Sequence, residues 1–572
     1  VTIRALLPLS LAALLQALAL PVFADPAVGP YLAARQARYA NDFQAAAQYY
    51  TRALASDPGN PALLESTIIA QMSLGEMEKA RAVAAKMEAD DLKSQVAHMA
   101  LIAGEVEAGE YGALLGRIDA GRGIGPLGDG LIAGWAHLGQ GDMSKALDAF
   151  DEVSRERGLN AFALYHKALA LASVGDFEGA DKIYSNAGDT QIQRTRRGTL
   201  AWIEVLSQLD RNEDALALIS DVFGADPGPR VTRMRARLED GERLSFTRIR
   251  GAREGIAEVF YSLGQALRSD AGEDYALLYA RVAEYLDPGH VDAVLLSAEL
   301  LEALERYELA TESYARVPRD HPAFHVAEMG RAEALRSAGK DDAAIEVLAQ
   351  LTETHPRMAS VHVTLGDHLR QQQQFERAAR AYDAALEIYE NRDTDQWFVH
   401  YARGICHERL DNWEKAEADF RRALELNPDQ PQVLNYLGYS LVEKRETLDE
   451  ALSMIERAVE AEPDSGYIVD SLGWALYRLG RYDEAVEHME RAVELMPMDP
   501  VVNDHLGDVL WAVGRKTEAR FQWRRALSFV DKENPSPDVE LERIRRKLEV
   551  GLDRVLAEEG SPPLTVAGEN GG

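Results

Sequence analysis

Along nearly the whole chain, small and apolar residues recur at spacings of three and four, with charged residues between them. That period puts them on one face of a helix. The helical segments are short, and they repeat. A ladder marks the repeat: Ala46, Ala80, Leu114, Ala146, Ala180, Ala215, Ala276, Ala310, Ala344, Ala378, Ala416, Ala451, Ala485 and Ala519. Most steps are 34 residues; the exceptions are one of 32, two of 35, one of 38 and one of 61. Other positions keep register with the rungs. Four residues later stands an apolar or aromatic residue, among them Tyr50, Phe150, Tyr184, Tyr314, Tyr382, Phe420 and Trp523. Three residues earlier is often an aromatic, such as Phe43, Phe177, Tyr307, Phe375, Trp413 or Tyr482. Twelve residues earlier is glycine at Gly366, Gly404, Gly473 and Gly507, with Gly438 one residue out of register. Twelve residues later is proline at Pro58, Pro227, Pro288, Pro322, Pro356, Pro428, Pro463 and Pro497.

These residue types have physical roles. Small residues at two fixed places let paired helices cross closely, and the aromatics fill the gaps between them. Proline ends the second helix, because it lacks an N–H and clashes with the preceding turn. Each unit is then two antiparallel helices that bury their apolar face only by stacking on neighbours. The pattern resembles the tetratricopeptide repeat family, most closely over residues 435–463, 470–497 and 504–526, and it extends over roughly residues 30–530. The resemblance implies an all-α fold: a right-handed α-solenoid of about 12–14 helix pairs, ended by a C-terminal capping helix.

The ends and the 61-residue step divide the chain. Arg4 precedes an apolar run from Ala5 to Leu20, and small residues lead to Ala24. This is the pattern of a secretory signal peptide over residues 1–24, with cleavage expected before Asp25. The mature chain is expected in an exported compartment, the periplasm if the source is Gram-negative. Lipidation would need a cysteine at the cleavage point, and the single cysteine is Cys406. Residues 25–225 and 257–530 read as two repeat arrays, and 226–256 as an arginine-rich irregular insert. In 531–558, Ser536-Pro537 starts a capping helix with Leu541, Ile544, Leu548 and Leu552 on one stripe. Residues 559–572 read as a disordered tail.

Composition narrows the chemistry. A chain of 572 residues would ordinarily make about four globular domains; the ladder replaces them with one repeated unit. Lys+Arg number 62 against 94 Asp+Glu, a net charge of −32, which argues against nucleic-acid binding. One cysteine excludes an internal disulfide framework and a multi-cysteine metal site, and no later stretch reads as a membrane span. Gly123-Ile-Gly125-Pro-Leu-Gly128 fits a dinucleotide fingerprint, but no strand precedes it and a proline sits inside it. Cys406 lies near His400 and His407, yet it takes a slot where the repeat packs small side chains. No catalytic residue, cofactor or metal is expected.

A binding surface is the better candidate. The family resemblance implies that the first helix of each repeat lines a concave face. There Asn435, Asp470 and Asp504 share one repeat position, Tyr439, Trp474 and Asp508 a second, and Tyr477 and Trp511 a third, with Tyr467 one turn before Asp470. Aromatics supply contact area at low entropic cost, and Asn or Asp side chains hold a peptide backbone. A second candidate is a basic patch of Arg230, Arg233, Arg235, Arg237, Arg243, Arg248, Arg250 and Arg253, a span with only three acidic residues, suited to an acidic partner or an anionic polymer. The reading is a non-catalytic periplasmic scaffold that binds a protein or peptide. The C-terminal repeats also resemble envelope adaptors that partner carboxyl-terminal processing proteases and deliver cell-wall hydrolases to them. The alternative is a glycan-binding or peptidoglycan-binding envelope protein.

Overall fold

The computed structural model describes residues 28–185, 195–224, 228–269, 271–390, 396–531, 539–561 and 564. Among them are 31 helices and no strand. The expected signal segment, the extra residues of the 38-residue step and most of the tail lie outside the described residues. Fourteen antiparallel helix pairs follow one another, and every ladder rung falls in the second helix of its pair. All fourteen rungs are buried, including Leu114 and Ala276, where the pattern is weakest.

One contact recurs within the pairs. The first-helix glycine faces the second-helix ring sixteen residues on. A Cβ on Gly366 would stand 2.5 Å from the Tyr382 ring, on Gly404 2.6 Å from Phe420, and on Gly507 2.3 Å from Trp523. No real side chain survives such distances, so only glycine admits the ring. Tyr382, Phe420 and Trp523 are fully buried.

The chain divides into two compact units after Val347, inside the helix Asp341–Thr354, and not at the arginine-rich segment. Each is an α-solenoid. In both, neighbouring first helices touch one another and successive second helices do not make comparable contacts, so the first helices form the inner face.

In the N-terminal unit that inner face is partly filled by the chain itself. The helix Ala252–Leu267 packs on Pro126–Gly139, and Glu273–Leu286 packs on Pro61–Ser73 and Gln95–Glu107. Gly255 allows the approach, because a Cβ there would lie 2.1 Å from Trp135. Polar contacts lock the helices in place. The Arg281 guanidinium donates to the Ser73 carbonyl (3.2 Å), the Tyr275 hydroxyl to Gln95 (2.9 Å), and Arg253 pairs with Glu107 (2.5 Å). At the centre, Glu258 is 1% exposed. It accepts hydrogen bonds from Arg197 (2.6 Å), Tyr165 (2.7 Å) and His290 Nε2 (3.0 Å).

Within the 226–256 segment, regular and irregular stretches alternate. Residues Gly228–Glu239 are helical, with Val231, Met234 and Leu238 buried against Asn212–Phe223. Their spacing of three and four is the ordinary helical stripe, overlooked among the arginines. Residues 240–251 then form a strap pinned by buried Leu244 and Ile249. Thr247 and Arg248 both donate to Glu204.

In the C-terminal unit, the cap is two short helices, Leu541–Val550 and Leu552–Glu558, and not one. The break is Gly551, at φ +86°, where the Trp511 ring also leaves no room for a Cβ. Lys547 holds the cap down. Its ammonium is fully buried, 2.8 Å from Asp504 and 2.7 Å from Asp508. Asp508 also accepts from Trp523 Nε1 (2.9 Å). The first residues of the expected tail are anchored too: Glu559 pairs with Arg543 (2.9 Å).

Three outcomes follow for stability. Gly404→Val should lower it by about 1–3 kcal/mol, the cost of overpacking, and Phe420→Leu in the same chain should restore part of the loss; thermal denaturation of the single and double variants tests the coupling. Lys547→Met leaves two buried carboxylates short of a cation, at a cost of about 3–5 kcal/mol, and trypsin should then cut at Arg545 and Arg546 sooner. Burial opposes the charge on Glu258, but Arg197 and His290 outweigh it and hold its pKa well below 4.5. The depressed carboxylate stabilises the fold above that value, and the contribution is lost as pH falls through the folded-state pKa. Melting temperature against pH should therefore fall less steeply on the acid side in Glu258→Gln, from a lower starting point.

Candidate functional site

The C-terminal unit keeps a cavity of about 570 Å³ on its inner face. One wall is the first helices Pro431–Lys444, Gly466–Arg478 and Pro500–Ala512; the other is the cap helix Leu541–Val550. Tyr439, Trp474 and Tyr477 supply the aromatic wall, opposite Ile544 and Leu556. Trp474 and Tyr477 stack with centroids 4.9 Å apart, and His505 also stacks on Trp474 at 4.0 Å. Trp474 Nε1 donates to Glu443 (2.7 Å), which also takes Arg478 (2.9 Å). These bonds fix the indole plane and leave its remaining surface to the cavity.

Charges ring the opening. Arg478 and Arg543 are ion-paired, to Glu443 and Glu559. Arg445 is exposed and has no side-chain partner among the described residues. It ends its helix in the left-handed region at φ +57°. His505 Nδ1 lies 2.9 Å from Asp470. Burial works against a charge on this imidazole, but Asp470, with Asp504 and Asp508 behind it, outweighs burial and raises the pKa.

The nine groove residues read from the sequence separate into three sets. Tyr439, Trp474, Tyr477 and Asp504 line the cavity. Asn435 and Asp470 are buried behind the wall, and Tyr467 is 45% exposed beside it. The Asn435 Oδ1 has no hydrogen-bond partner among the described residues. Asp508 and Trp511 serve the cap: Asp508 holds Lys547, and Trp511 Nε1 donates to Asp553 (3.0 Å). Asp504, though it lines the cavity, is bound to Lys547 as well. Sequence reasoning missed His505 and Arg543. His505 directly follows Asp504 and repeats no motif. Arg543 lies on a cap helix that was read only for its apolar stripe.

The eight arginines of the basic patch do not form one surface. Arg237, Arg243, Arg248, Arg250 and Arg253 pair with Glu242, Asp210, Glu204, Glu254 and Glu107, and Arg235 donates to the Gly224 carbonyl. Arg230 and Arg233 have no such partner among the described residues. The Cys406 thiol is fully buried, and burial pushes its pKa up to about 12. At neutral pH it is a protonated thiol and a poor nucleophile. His400 is turned to Asp419 (3.2 Å). Gly123–Gly128 forms the turn into Pro126–Gly139, where Asp129 accepts from the Ile124 amide (2.6 Å) and occupies the loop itself. No group of side chains suited to a metal ion occurs among the described residues, and no described helix is long and apolar enough to cross a membrane.

Profiles described as tetratricopeptide repeat match residues 37–103, 133–185, 329–393, 397–430 and 469–499. No curated protein matches the chain. Among solved structures, the Cut9–Hcn1 hetero-tetramer of the APC/C is 16% identical, with 94% of this chain and 98% of that one covered and a TM-score of 0.38. A tetratricopeptide repeat protein from Parabacteroides merdae ATCC 43184 is 16% identical over 46% of this chain and 98% of its own, with a TM-score of 0.37. YrrB, described as a TPR protein with an unusual peptide-binding site, is 22% identical over 36% of this chain and 100% of its own, with a TM-score of 0.28. With the 34-residue ladder and the fourteen helix pairs, the five matched segments make this chain similar to tetratricopeptide repeat proteins over those residues.

Proposed function

We propose that the chain is a non-catalytic interaction scaffold that holds a segment of a partner protein in the C-terminal cavity. The observation that carries this reading is the aromatic wall of Tyr439, Trp474 and Tyr477 around about 570 Å³ of space on the inner face. That volume falls in the range that buries a ligand of a few residues. Tyr439, the least buried of the three, offers contact area for an aromatic or aliphatic side chain, with the Trp474–Tyr477 stack behind it. Arg445, exposed and unpaired among the described residues, adds positive charge at its edge, which favours a partner segment with an acidic residue beside the apolar one. In the N-terminal unit helices 252–267 and 273–286 cover much of the equivalent face, leaving a smaller cavity of about 370 Å³ beside Tyr165 and Tyr261, so the reading rests on the larger C-terminal cavity. The signal-like start supports action in an exported compartment, the periplasm of a Gram-negative cell. A processing protease or a cell-wall hydrolase is the partner class that the repeat resemblance favours.

The test is capture. The full chain, immobilised, is exposed to an envelope extract, and retained proteins are identified by mass spectrometry. Binding of each purified protein is then measured against Tyr439→Ala and Arg445→Glu. Tyr439 is half-buried and Arg445 exposed, so both variants should stay helical by circular dichroism. Trp474 and Asn435 are poor probes, being 8% and 2% exposed and part of the core. The expected result is a partner whose affinity falls about tenfold or more in each variant. Affinity unchanged by both variants sinks the cavity assignment. Sedimentation with purified cell wall and no captured protein favours the glycan reading instead.

A further inference from the structure

The N-terminal unit holds a second recess, of about 130 Å³, between the Arg230 helix, the strap at Thr247–Arg248, the 287–292 turn and His321. Four arginines line it: Arg197, Arg230, Arg248 and Arg250. Three of them are engaged. Arg197 is bound to Glu258 and Asp292, Arg248 to Glu204 (2.7 Å), and Arg250 to Glu254 (2.7 Å). The carboxylates that line the recess are likewise engaged: Asp292 by Arg197, Glu254 by Arg250, and Asp287 by the Gly289 amide (3.0 Å).

Arg230 is the exception. It is half-buried and makes no ion pair or hydrogen bond among the described residues. Two engaged cations, Arg248 and Arg197, stand near enough to repel it, while Asp292 and Glu204, each bound to another arginine, attract it from a distance. Burial comes first and Arg248 second in drawing its pKa down to about 10. A partly desolvated guanidinium without an acceptor is costly, and a guanidinium lining a small recess has N–H donors to offer one anion. His321 adds a donor. Its Nδ1 accepts from the Ala323 amide (3.2 Å), which leaves the proton on Nε2. Burial, then Arg230, lowers its pKa, so the ring is neutral at pH 7 and keeps that donor. Arg233, one turn along and exposed, adds positive field on the same side.

We propose that this recess binds a single oxyanion group, with Arg230 as its principal ligand and His321 as a second donor. A carboxylate or a phosphoryl group has the required chemistry and size. The site is separate from the C-terminal cavity, and its test does not depend on partner capture.

Thermal denaturation and isothermal titration of the full chain, with inorganic phosphate in one arm and glutarate in the other, test the proposal. Saturable binding of at least one anion is expected, with a rise in melting temperature by linkage. Binding should weaken about tenfold or more in Arg230→Gln. It should be unchanged in Arg237→Gln, whose side chain is exposed and paired to Glu242. Without anion, Arg230→Gln should melt no lower than wild type, because the substitution relieves an unpaired charge. The arm that saturates identifies the oxyanion source. Saturation by neither anion, equal binding by Arg230→Gln, or a marked loss of stability in that variant overturns the assignment.

Discussion

The fold depends on one contact repeated along the chain: a ring from the second helix of a pair set against a glycine of the first. Two helices carrying ordinary side chains at that crossing would be held too far apart to close the gap behind them. With glycine, the backbone itself becomes the floor of the pocket, and Tyr382, Phe420 or Trp523 fills it without a void. The alanine rung four residues earlier keeps the same crossing shallow. Each pair is thereby a rigid wedge, and neighbouring wedges meet through their first helices. An inner face lined by first helices is the geometric result.

That face has two fates. In the N-terminal unit, Gly255 and Trp135 let a pair from the same unit enter it, and Glu258 is sealed beneath with Arg197, Tyr165 and His290 around it. Ion pairs this deep stabilise little beyond what their desolvation costs, but they leave one arrangement far better satisfied than its neighbours. In the C-terminal unit, the cap covers only the end of the face. Lys547 spans Asp504 and Asp508, and the stacked Trp474–Tyr477 wall keeps its cavity.

The net charge of −32 conceals how the cations are used. Some arginines bridge one repeat to the next, across a separation of about one repeat length: Arg243 to Asp210 and Arg478 to Glu443. Exposed pairs of this kind contribute little individually. They matter by making the unpaired arginines conspicuous, Arg230 at its recess and Arg445 at the rim of the cavity.

The sequence by itself determined the helix pairs and their register, because the small-residue rung is local and recurs about every 34 residues, with the glycine and the ring keeping register in the best copies. It also singled out Tyr439, Trp474 and Tyr477, since equivalent repeat positions share a face. Only the tertiary structure decided which of those positions stay available. Asp504, Asp508 and Trp511 look like groove residues from their register, yet they hold Lys547 and the Gly551 break, about forty residues later. The helix at Gly228–Glu239 was hidden by its arginines, and the entry of helices 252–267 and 273–286 onto first helices more than a hundred residues earlier has no local signature. Periodicity records which face of a helix is apolar; it does not record what covers that face, because that is set by contacts between residues far apart in the chain.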